Sequence, residues 1–384
     1  MAMPLLRFKQ DDGSYYPDWE KDSLKNCCDI IGGGTPSTSK NEYWNGNIQW
    51  FTPTEIKQKY VTNSDRTITE LGLQKSSAKL LPAGTVLLTT RATLGKMSIA
   101  TKECTTNQGF HSLIPNNRCI NEFLYYLQPI VERYCLTHHS GTTFKETSKT
   151  MLEKCVIPLP CPEEQQKIAD FLSDVDNQIE NYQQSLDNLE SQKKELLRQV
   201  FSQELRFKRD DGSDYSDWEE DVLGKYCDIT TGKLNANAMN ENGKYDFYTS
   251  GIKKYKIDNY AFEGPAITIA GNGATVGYLH IADGKFNAYQ RTYVLTNFKC
   301  IRRYLYYIIG QELPKKIRKE VRPGVIPYIV LDMLTNLKIF LPCPEEQQKI
   351  ADFFFDIENR IELERQRMQT MQELKKGLLQ QMFC

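Results

Sequence analysis

A stretch of sequence that occurs twice without a change constrains the fold of this chain most. Residues Leu159–Phe171 read LPCPEEQQKIADF, and the same letters return at Leu341–Phe353. Each copy opens a run in which apolar side chains recur at intervals of four and three, the heptad pattern of a coiled coil. Pro162 and Pro344 suit the first helical position, where a missing N–H has no cost, and two glutamates follow each proline at the positive helix end. We therefore predict that a long helix begins at each proline.

The two predicted helices have nearly continuous apolar seams. The first seam consists of Ile168, Leu172, Val175, Ile179, Tyr182, Leu186, Leu189, Leu196 and Val200, and the second of Ile350, Phe354, Ile357, Ile361, Met368, Met371, Leu378 and Met382. Lys193 fills one gap of the first seam, and Glu364 and Lys375 interrupt the second. A helix from Pro162 to about Gln203 would be roughly 60 Å long. Because one heptad helix cannot bury its own stripe, we expect the two copies to pack as an intramolecular coiled coil; two amphipathic helices on separate globular cores are the alternative.

A second repeat frames the first. Leu6–Gly13 reappears with one change as Leu205–Gly212, and an Asp-Trp-Glu triplet follows in both places. The chain therefore reads as a tandem duplication in which each unit runs from a lead-in through a globular stretch and the repeated junction into a long helix. The N-terminal stretch also supplies the sequence expected to follow the last helix. We infer a closed two-unit cycle cut at one linker, with a pseudo-twofold relation between the halves.

The two globular stretches, about 14–160 and 213–342, mix strand and helix patterns, which predicts an α/β (α+β) fold. The predicted strands are Ile48–Thr52, Thr85–Thr89, Met97–Ala100, Ala266–Ala270 and Thr292–Thr296, and the predicted helices are Glu122–Tyr134 and Ile301–Glu312. The predicted elements follow a similar order in the two stretches, whereas the two sequences mostly differ. Since the junctions repeat and the globular parts share only a framework, we infer a symmetric frame that holds two modules facing different targets.

Composition excludes several classes of protein. The 384 residues are 40% apolar and 25% charged, as in ordinary globular chains. There is no apolar run near 18 residues and no signal-peptide pattern, so we expect a cytoplasmic protein that does not bind a membrane. The eleven cysteines include no Cys-x-x-Cys and accompany only four histidines, which favours packing positions over a zinc site. A net charge of −1 disfavours a free-standing nucleic-acid binder, because phosphate neutralisation normally requires a basic excess.

Several local motifs have both a purely structural and a functional interpretation. Gly271–Gly277 invites a phosphate-loop interpretation, but the corresponding Thr89–Gly95 lacks the first two glycines and no long helix follows either one, so we predict a tight turn between strands that DNA could approach closely. The glycine-rich loop Gly32–Ser37, with nearby Tyr43, Trp44 and Trp50, is either a plain loop or a DNA contact through its hydroxyl groups. A basic run in the second module is either a solvated helix face or a phosphate footprint; it consists of Lys299, Arg302, Arg303, Lys315, Lys316, Arg318, Lys319 and Arg322.

The sequence offers no active site. His138 and His139 have no paired acid at metal spacing, and there is neither a Gly-x-Ser-x-Gly elbow nor the Asn- or Asp-Pro-Pro-aromatic segment of an amino-methyltransferase. A self-contained nucleic-acid enzyme is therefore disfavoured.

The repeated junctions, the long helices, the duplicated lead-ins and Gly34–Pro36 resemble the specificity subunit of type I restriction-modification systems, over essentially the whole chain. The resemblance implies a non-catalytic subunit with two target recognition domains, each of which reads one half of a bipartite, asymmetric DNA site. It further implies that the two helices form an antiparallel coiled coil that fixes the distance between the half-sites. The expected boundaries are 1–160 for target recognition domain 1, 161–204 for conserved helix 1, 205–342 for target recognition domain 2 and 343–384 for conserved helix 2.

The resemblance also implies the partners. Besides double-stranded DNA, we expect two modification (methyltransferase) subunits that methylate adenine with S-adenosylmethionine, and two restriction (translocase/nuclease) subunits that use ATP and Mg. The chain itself is expected to bind no cofactor and no metal. Because partners can supply much of the phosphate contact, the near-neutral charge is compatible with this role. A non-catalytic structural adaptor whose modules bind proteins is the alternative.

Base-contacting residues do not follow from the resemblance, so we predict them from side-chain chemistry. Arg, Gln and Asn can make paired contacts with guanine or adenine edges. The predicted DNA-binding residues are Arg91, Thr93, Lys96, Gln108, Ser140, Thr142 and Lys145 in the first module and Lys233, Asn235, Asn272, Tyr289, Gln290, Arg291 and Arg322 in the second. If the length of the helices sets the distance between the half-sites, and so acts as a ruler, four residues inserted after Gln184 should widen this spacer without changing either half-site.

Overall fold

The computed structural model of the chain describes residues 4–141, 145–320 and 326–383. They form two compact units, the first made of Met1–Tyr182 with Arg367–Cys384 and the second of Gln183–Gln366. Each unit therefore contains one globular module, the beginning of one long helix and the end of the other. In the part of the chain that the structure describes, no helix is long and apolar enough to cross a bilayer.

Module 1, the globular part of the first unit, is built on a five-stranded sheet in the order β2-β9-β6-β7-β4, with a three-stranded sheet β5-β3-β8 beside it and the pair β1-β10 at the junction. The elements are β1 (Glu20–Ser23), α1 (Leu24–Cys27), β2 (Cys28–Gly32), β3 (Trp44–Phe51), β4 (Tyr60–Val61), β5 (Arg66–Ile68), α2 (Glu70–Gln74), β6 (Val86–Leu88), β7 (Met97–Ala100), β8 (Cys104–Thr106), β9 (His111–Pro115), α3 (Asn121–Tyr126), α4 (Gln128–Thr137), α5 (Lys149–Leu152), β10 (Val156–Leu159) and the long helix α6 (Pro162–Phe201).

Module 2, the globular part of the second unit, repeats this plan with sheets β12-β19-β16-β17 and β14-β13-β18-β15 and the pair β11-β20. Its elements are β11 (Glu219–Val222), β12 (Asp228–Thr231), β13 (Tyr245–Tyr248), β14 (Tyr255–Ile257), β15 (Phe262–Glu263), β16 (Ala266–Ala270), β17 (Leu279–Ala282), β18 (Lys285–Ala288), β19 (Thr292–Thr296), α7 (Arg302–Glu320), α8 (Leu331–Thr335), β20 (Lys338–Leu341) and the long helix α9 (Pro344–Phe383). The strand order β2-β9-β6-β7 corresponds to β12-β19-β16-β17, so the shared α/β framework is confirmed.

The long helices begin at the predicted prolines, and the first ends at Phe201 rather than Gln203. Gln203 has a φ of 62°, a left-handed conformation in which the helix cannot continue. The predicted helix Glu122–Tyr134 is divided into α3 and α4, because Pro129 stands in the first turn of α4 and has no N–H to continue the hydrogen bonds of α3.

The helices run antiparallel within each unit. In the first unit, Ile168 and Leu172 of α6 lie in one core cluster with Met382 and Phe383 of α9, together with the strands of module 1. In the second unit, the end of α6 and the beginning of α9 pack in the same way against module 2 through Val200, Phe201, Ile350, Ala351 and Phe354. The helix ends therefore serve both as coiled-coil partners and as parts of the module cores.

Candidate nucleic-acid interface

In module 1, three segments that are distant in sequence meet at the turn between β6 and β7, residues 89–96. The Thr90 amide donates to the Gly109 carbonyl at 2.8 Å, and the Thr147 amide donates to the Thr90 carbonyl at 3.1 Å. The turn contains a left-handed residue, Ala92, with a φ of 61°. These backbone bonds bring the turn, the start of β9 and the segment after α4 to one edge of the module.

Ion pairs fix the side chains around this turn. Arg91 binds Glu146 at 2.8 Å, and the Ser140 amide donates to the Glu146 carbonyl, also at 2.8 Å. Lys96 binds Glu132 of α4 at 2.9 Å. Both cations remain about 45% exposed, so each pair is open to water and can exchange its partner for a phosphate. The turn therefore presents positive charge that is already oriented.

The glycine-rich loop after β2 lies beside the same edge. The Gly33 amide donates to the Phe110 carbonyl at 3.2 Å, and a Cβ on Gly33 would stand 2.0 Å from the Asn107 carbonyl oxygen, so only glycine permits this approach. The Thr35 hydroxyl donates to the Gln108 side-chain oxygen. Two polar side chains able to hydrogen-bond with base edges or phosphates thus stand side by side.

The tryptophans near this loop hold its shape. Trp50 donates from Nε1 to the Gly34 carbonyl at 2.9 Å, and Trp44 donates from Nε1 to the Ser37 carbonyl at 3.1 Å. Both rings are buried, and the Arg66 guanidinium covers Trp44 at 3.7 Å from its ring centre. The rings are therefore unavailable to stack on bases, and any contact from this loop would come from its hydroxyl groups and backbone.

In module 2, the turn between β16 and β17, residues 271–277, occupies the corresponding position. The Gly271 amide donates to the Arg291 carbonyl at 2.8 Å, which places the turn beside the start of β19. Asn272 pairs through its backbone with Tyr328, in the segment before α8. The same three kinds of segment meet here as in module 1, but they present different side chains.

The loop after β12 completes this edge of module 2. A Cβ on Gly232 would stand 1.9 Å from the Ala288 carbonyl oxygen, which repeats the close approach of module 1. The Gln290 amide donates to the Leu234 carbonyl at 2.8 Å. The two modules therefore share a backbone frame at these edges, and their exposed side chains distinguish them.

Comparison with known proteins identifies the frame. The type I restriction modification DNA specificity domain matches the chain twice, over residues 16–191 and 215–373. The chain belongs to this family. The specificity-subunit resemblance predicted from the repeated junction is thereby confirmed, and the two matches coincide with the two halves of the duplication.

Individual specificity subunits resemble the chain over either most of its length or one part of it. The type I restriction enzyme MjaIX specificity subunit of Methanocaldococcus jannaschii is 29% identical over 409 residues, which cover 97% of this chain and 94% of that protein. The EcoDI specificity subunit of Escherichia coli is 34% identical over 164 residues, 43% of this chain and 36% of that protein. The crystal structure of the S subunit from M. genitalium has the same fold, with a TM-score of 0.63 at 17% identity and coverage of 100% and 99%.

The specificity-subunit fold brings the segments that carry the described predicted residues to these two edges. Tyr289, Asn272 and Lys96 are half-buried. Thr142 and Arg322 lie outside the described residues. The exposed predicted residues are Arg91, Thr93, Gln108, Ser140 and Lys145 in module 1 and Lys233, Asn235, Gln290 and Arg291 in module 2. Contact with DNA stays a prediction for all of them.

Several cations of the basic run in module 2 form ion pairs, so the run presents less unpaired positive charge than the sequence indicates. Arg302 binds Asp283 at 2.7 Å, and Lys315 binds Glu312 at 2.7 Å. The Arg303 guanidinium lies 3.5 Å from the Glu358 carboxylate of α9. Helix α7 therefore does not present an unbroken phosphate footprint.

Tyr328 is a candidate that sequence reasoning missed. Its side chain is 53% exposed beside Asn272, and neighbouring Ile326 is 73% exposed. Exposed apolar groups in such a position can contact thymine methyl groups. The only local signal was a short apolar run, and nothing in that run indicates that it pairs with a turn more than fifty residues earlier in the chain.

A partly buried histidine lies beside the turn of module 1. Burial lowers the pKa of His111, whose Nδ1 lies 2.8 Å from the Thr90 hydroxyl, and this favours a neutral ring in a structural hydrogen bond. Among the residues that the structure describes, no cluster of three or more His, Cys, Asp or Glu side chains could hold a metal ion. Burial also raises the pKa of the Cys28 thiol to about 12, which keeps it protonated and unreactive.

Proposed function

We propose that the chain gives a type I restriction-modification complex its DNA sequence specificity, with each module reading one half of a bipartite site. One observation carries the proposal: a common strand order, β2-β9-β6-β7 and β12-β19-β16-β17, brings different polar side chains to corresponding edges. Such an arrangement suits two modules that approach DNA in the same way and recognise different half-sites. The family match over both halves supports it.

The two sets of side chains favour an asymmetric site. Module 1 offers hydroxyl groups at Thr35 and Thr93 beside Gln108, and its Arg91 is paired with Glu146, whereas module 2 offers Gln290 directly beside Arg291. Glutamine can pair with an adenine edge and arginine with a guanine edge. Two unlike half-sites follow, because each module would favour the bases that its own donors and acceptors match.

The long helices are proposed to set the spacer between the half-sites. Each is a 40-residue helix, about 60 Å at 1.5 Å per residue, and the two run antiparallel within each unit. Because a helix pair of fixed register is stiff, its length limits the spacers that both modules can span. Changing that length should therefore change the spacer and leave the half-sites alone.

The chain is proposed to act without catalysis of its own, in the cytoplasm. Two methyltransferase subunits would bind S-adenosylmethionine and methylate adenine, and two restriction subunits would use ATP and Mg for translocation and cleavage. These partners would also supply phosphate contacts that a chain of net charge −1 supplies poorly. One solved structure with this fold, 18% identical and with a TM-score of 0.59, concerns complex assembly of the type I R-M system.

The proposal is tested by single-molecule sequencing of methylated DNA. The genome of a host that carries the chain with its modification subunit is compared with that of the same host lacking only the chain. A chain-dependent methyladenine mark at one bipartite motif is expected, which would give the half-sites and the spacer together. A soluble complex with an active methyltransferase but no such mark would instead favour the adaptor role.

A further inference from the structure

Two lysines in the apolar seams make the same contact in both units. Lys193 donates to Glu358 at 2.6 Å in the second unit, and Lys375 binds Asp176 at 2.5 Å in the first. Each lysine stands at the same position counted from the proline that begins its helix, and so does each carboxylate. One antiparallel register therefore satisfies both pairs.

The paired side chains are mostly buried, with between 21% and 25% of each side chain exposed. Replacing such a pair by apolar residues is often neutral or stabilising, because desolvation offsets much of the attraction between the charges. Stability alone is therefore a poor reason for charges at two equivalent seam positions. A lysine in a coiled-coil seam is known to specify register, at some cost in stability.

The carboxylates also bind the modules. The Tyr126 hydroxyl of α3 donates to Asp176 at 2.7 Å, and Arg303 of α7 stands 3.5 Å from Glu358. Each carboxylate thus joins three elements of its unit: the helix that carries it, the other long helix and a helix of the module, α3 for Asp176 and α7 for Glu358. A shift along the helix axis would break both contacts at once.

A slip of one heptad shows how selective the pairs are. It would move one helix by about 10 Å and keep apolar side chains opposite each other. Lys193 would then face Ala351 or Arg365, and Lys375 would face Ala169 or Gln183. None of these four facing positions carries a carboxylate. The core contacts at the helix ends resist such a slip as well, but apolar contacts are less directional and tolerate smaller shifts.

We propose that Lys193 and Lys375 are positioning residues that fix the register of the two long helices, through Glu358 and Asp176, and thereby restrict the spacer that the chain accepts. The inference rests on the proposed function, since a spacer exists only if both modules read DNA. It adds the residues that restrict the helix pair to one register and therefore to one spacer length.

The test uses the complex of the full chain with its modification subunits, and DNA duplexes that carry both half-sites with the native spacer or with one to three base pairs more or fewer. For the double variant Lys193→Met and Lys375→Met, we expect the preference for the native spacer to fall about tenfold, with both half-sites still required. Three base pairs correspond to one heptad, at 3.4 Å per base pair.

The matched control is Lys194→Met with Lys376→Met, which removes the same charges from adjacent exposed positions. It should keep the single spacer, and so should Lys193→Arg with Lys375→Arg, which preserves the charge. A somewhat lower thermal unfolding midpoint than that of the wild type is expected for the methionine variant, because Glu358 and Asp176 lose their counterions. If that variant unfolds, Asp176→Asn with Glu358→Gln provides the same test with nearly unchanged shape.

Retention of a single native spacer by the folded methionine or amide variant would overturn the proposal, as would a loss of methylation that is equal at every spacer. Failure of the proposed function looks different, because the wild-type complex would then show no methylation that depends on the chain at any spacer.

Discussion

Trp19 donates a hydrogen bond from its indole Nε1 to the Glu164 carboxylate at 2.8 Å, and Arg7 binds the same carboxylate at 3.0 Å. Glu164 is completely buried in the first turn of α6. Trp218, Arg206 and Glu346 repeat the arrangement at α9. The duplicated lead-in therefore holds the beginning of each long helix through one buried carboxylate.

We expect Glu164→Gln to lower the free energy of unfolding by about 3 kcal/mol, because the Arg7 guanidinium, 8% exposed, would lose its buried counterion. Denaturant unfolding of the full chain measures the change. Asp18→Asn is the control, since Asp18 binds the same guanidinium at 3.3 Å but is 82% exposed, and it should produce only a small fraction of the loss. Equal effects of the two substitutions would contradict the assignment.

Gln108 and Gln290 occupy corresponding positions in the two modules, and both are exposed. Gln290→Ala should reduce discrimination at one base of the second half-site by about 1–3 kcal/mol and leave the first half-site unchanged. Gln108→Ala should do the reverse, so each variant serves as the control for the other. Methylation of duplexes with single-base changes measures both. A uniform loss across both half-sites would show that these residues do not read bases.

Arg291 is an exposed cation at the edge of module 2. If it contacts a phosphate, Arg291→Ala should lower the slope of log affinity against log salt by about one, roughly equally for all sequences. Titration of DNA into the complex at several salt concentrations gives the slope. Arg302→Ala is the comparison, because Arg302 pairs with Asp283 within the module and should leave the slope unchanged.

A matched lengthening of both helices tests the ruler more strictly than an insertion in one helix. Seven residues inserted after Gln184 and seven after Gln366 would leave both lysine pairs, Lys193 with Glu358 and Lys375 with Asp176, in register. The spacer should then grow by about three base pairs, since a heptad adds about 10 Å. The sequenced methylation motif reports the result, and an unchanged spacer would refute the ruler.

Sequence patterns predicted the helices because their signals are local: a proline at the first position, acidic residues after it and a seam with heptad spacing. The same pattern marked Lys193 and Lys375 as interruptions but could not name their partners, which lie on the other helix. The first-turn glutamates were attributed to the helix dipole alone. Burial of Glu164 depends on a lead-in more than a hundred residues earlier, which no periodicity reveals.

The segments that form the candidate edges could be predicted from the sequence, but the contacts of individual residues within them could not. Glycine-rich turns and polar side chains pointed to segments that the structure brings together, because turns between strands meet at one edge of a sheet; their contact with DNA stays a prediction. The sequence placed Trp44 and Trp50 near the glycine-rich loop without a role, and the structure shows that they support the loop, since their indole N–H groups donate to backbone carbonyls. Tyr328 was missed because its position depends on long-range pairing with Asn272.

The close approach at Gly33 and Gly232 also limits how such a chain can acquire new targets in evolution. Any side chain at either position would collide with a backbone carbonyl, so the path of the loop is fixed at that point. Mutational drift can exchange the residues on either side, but it cannot reroute the loop itself. New sequence preferences would therefore arise by substitution on a constant backbone, a route that a library varied at Thr35 and Asn235 could follow in the laboratory.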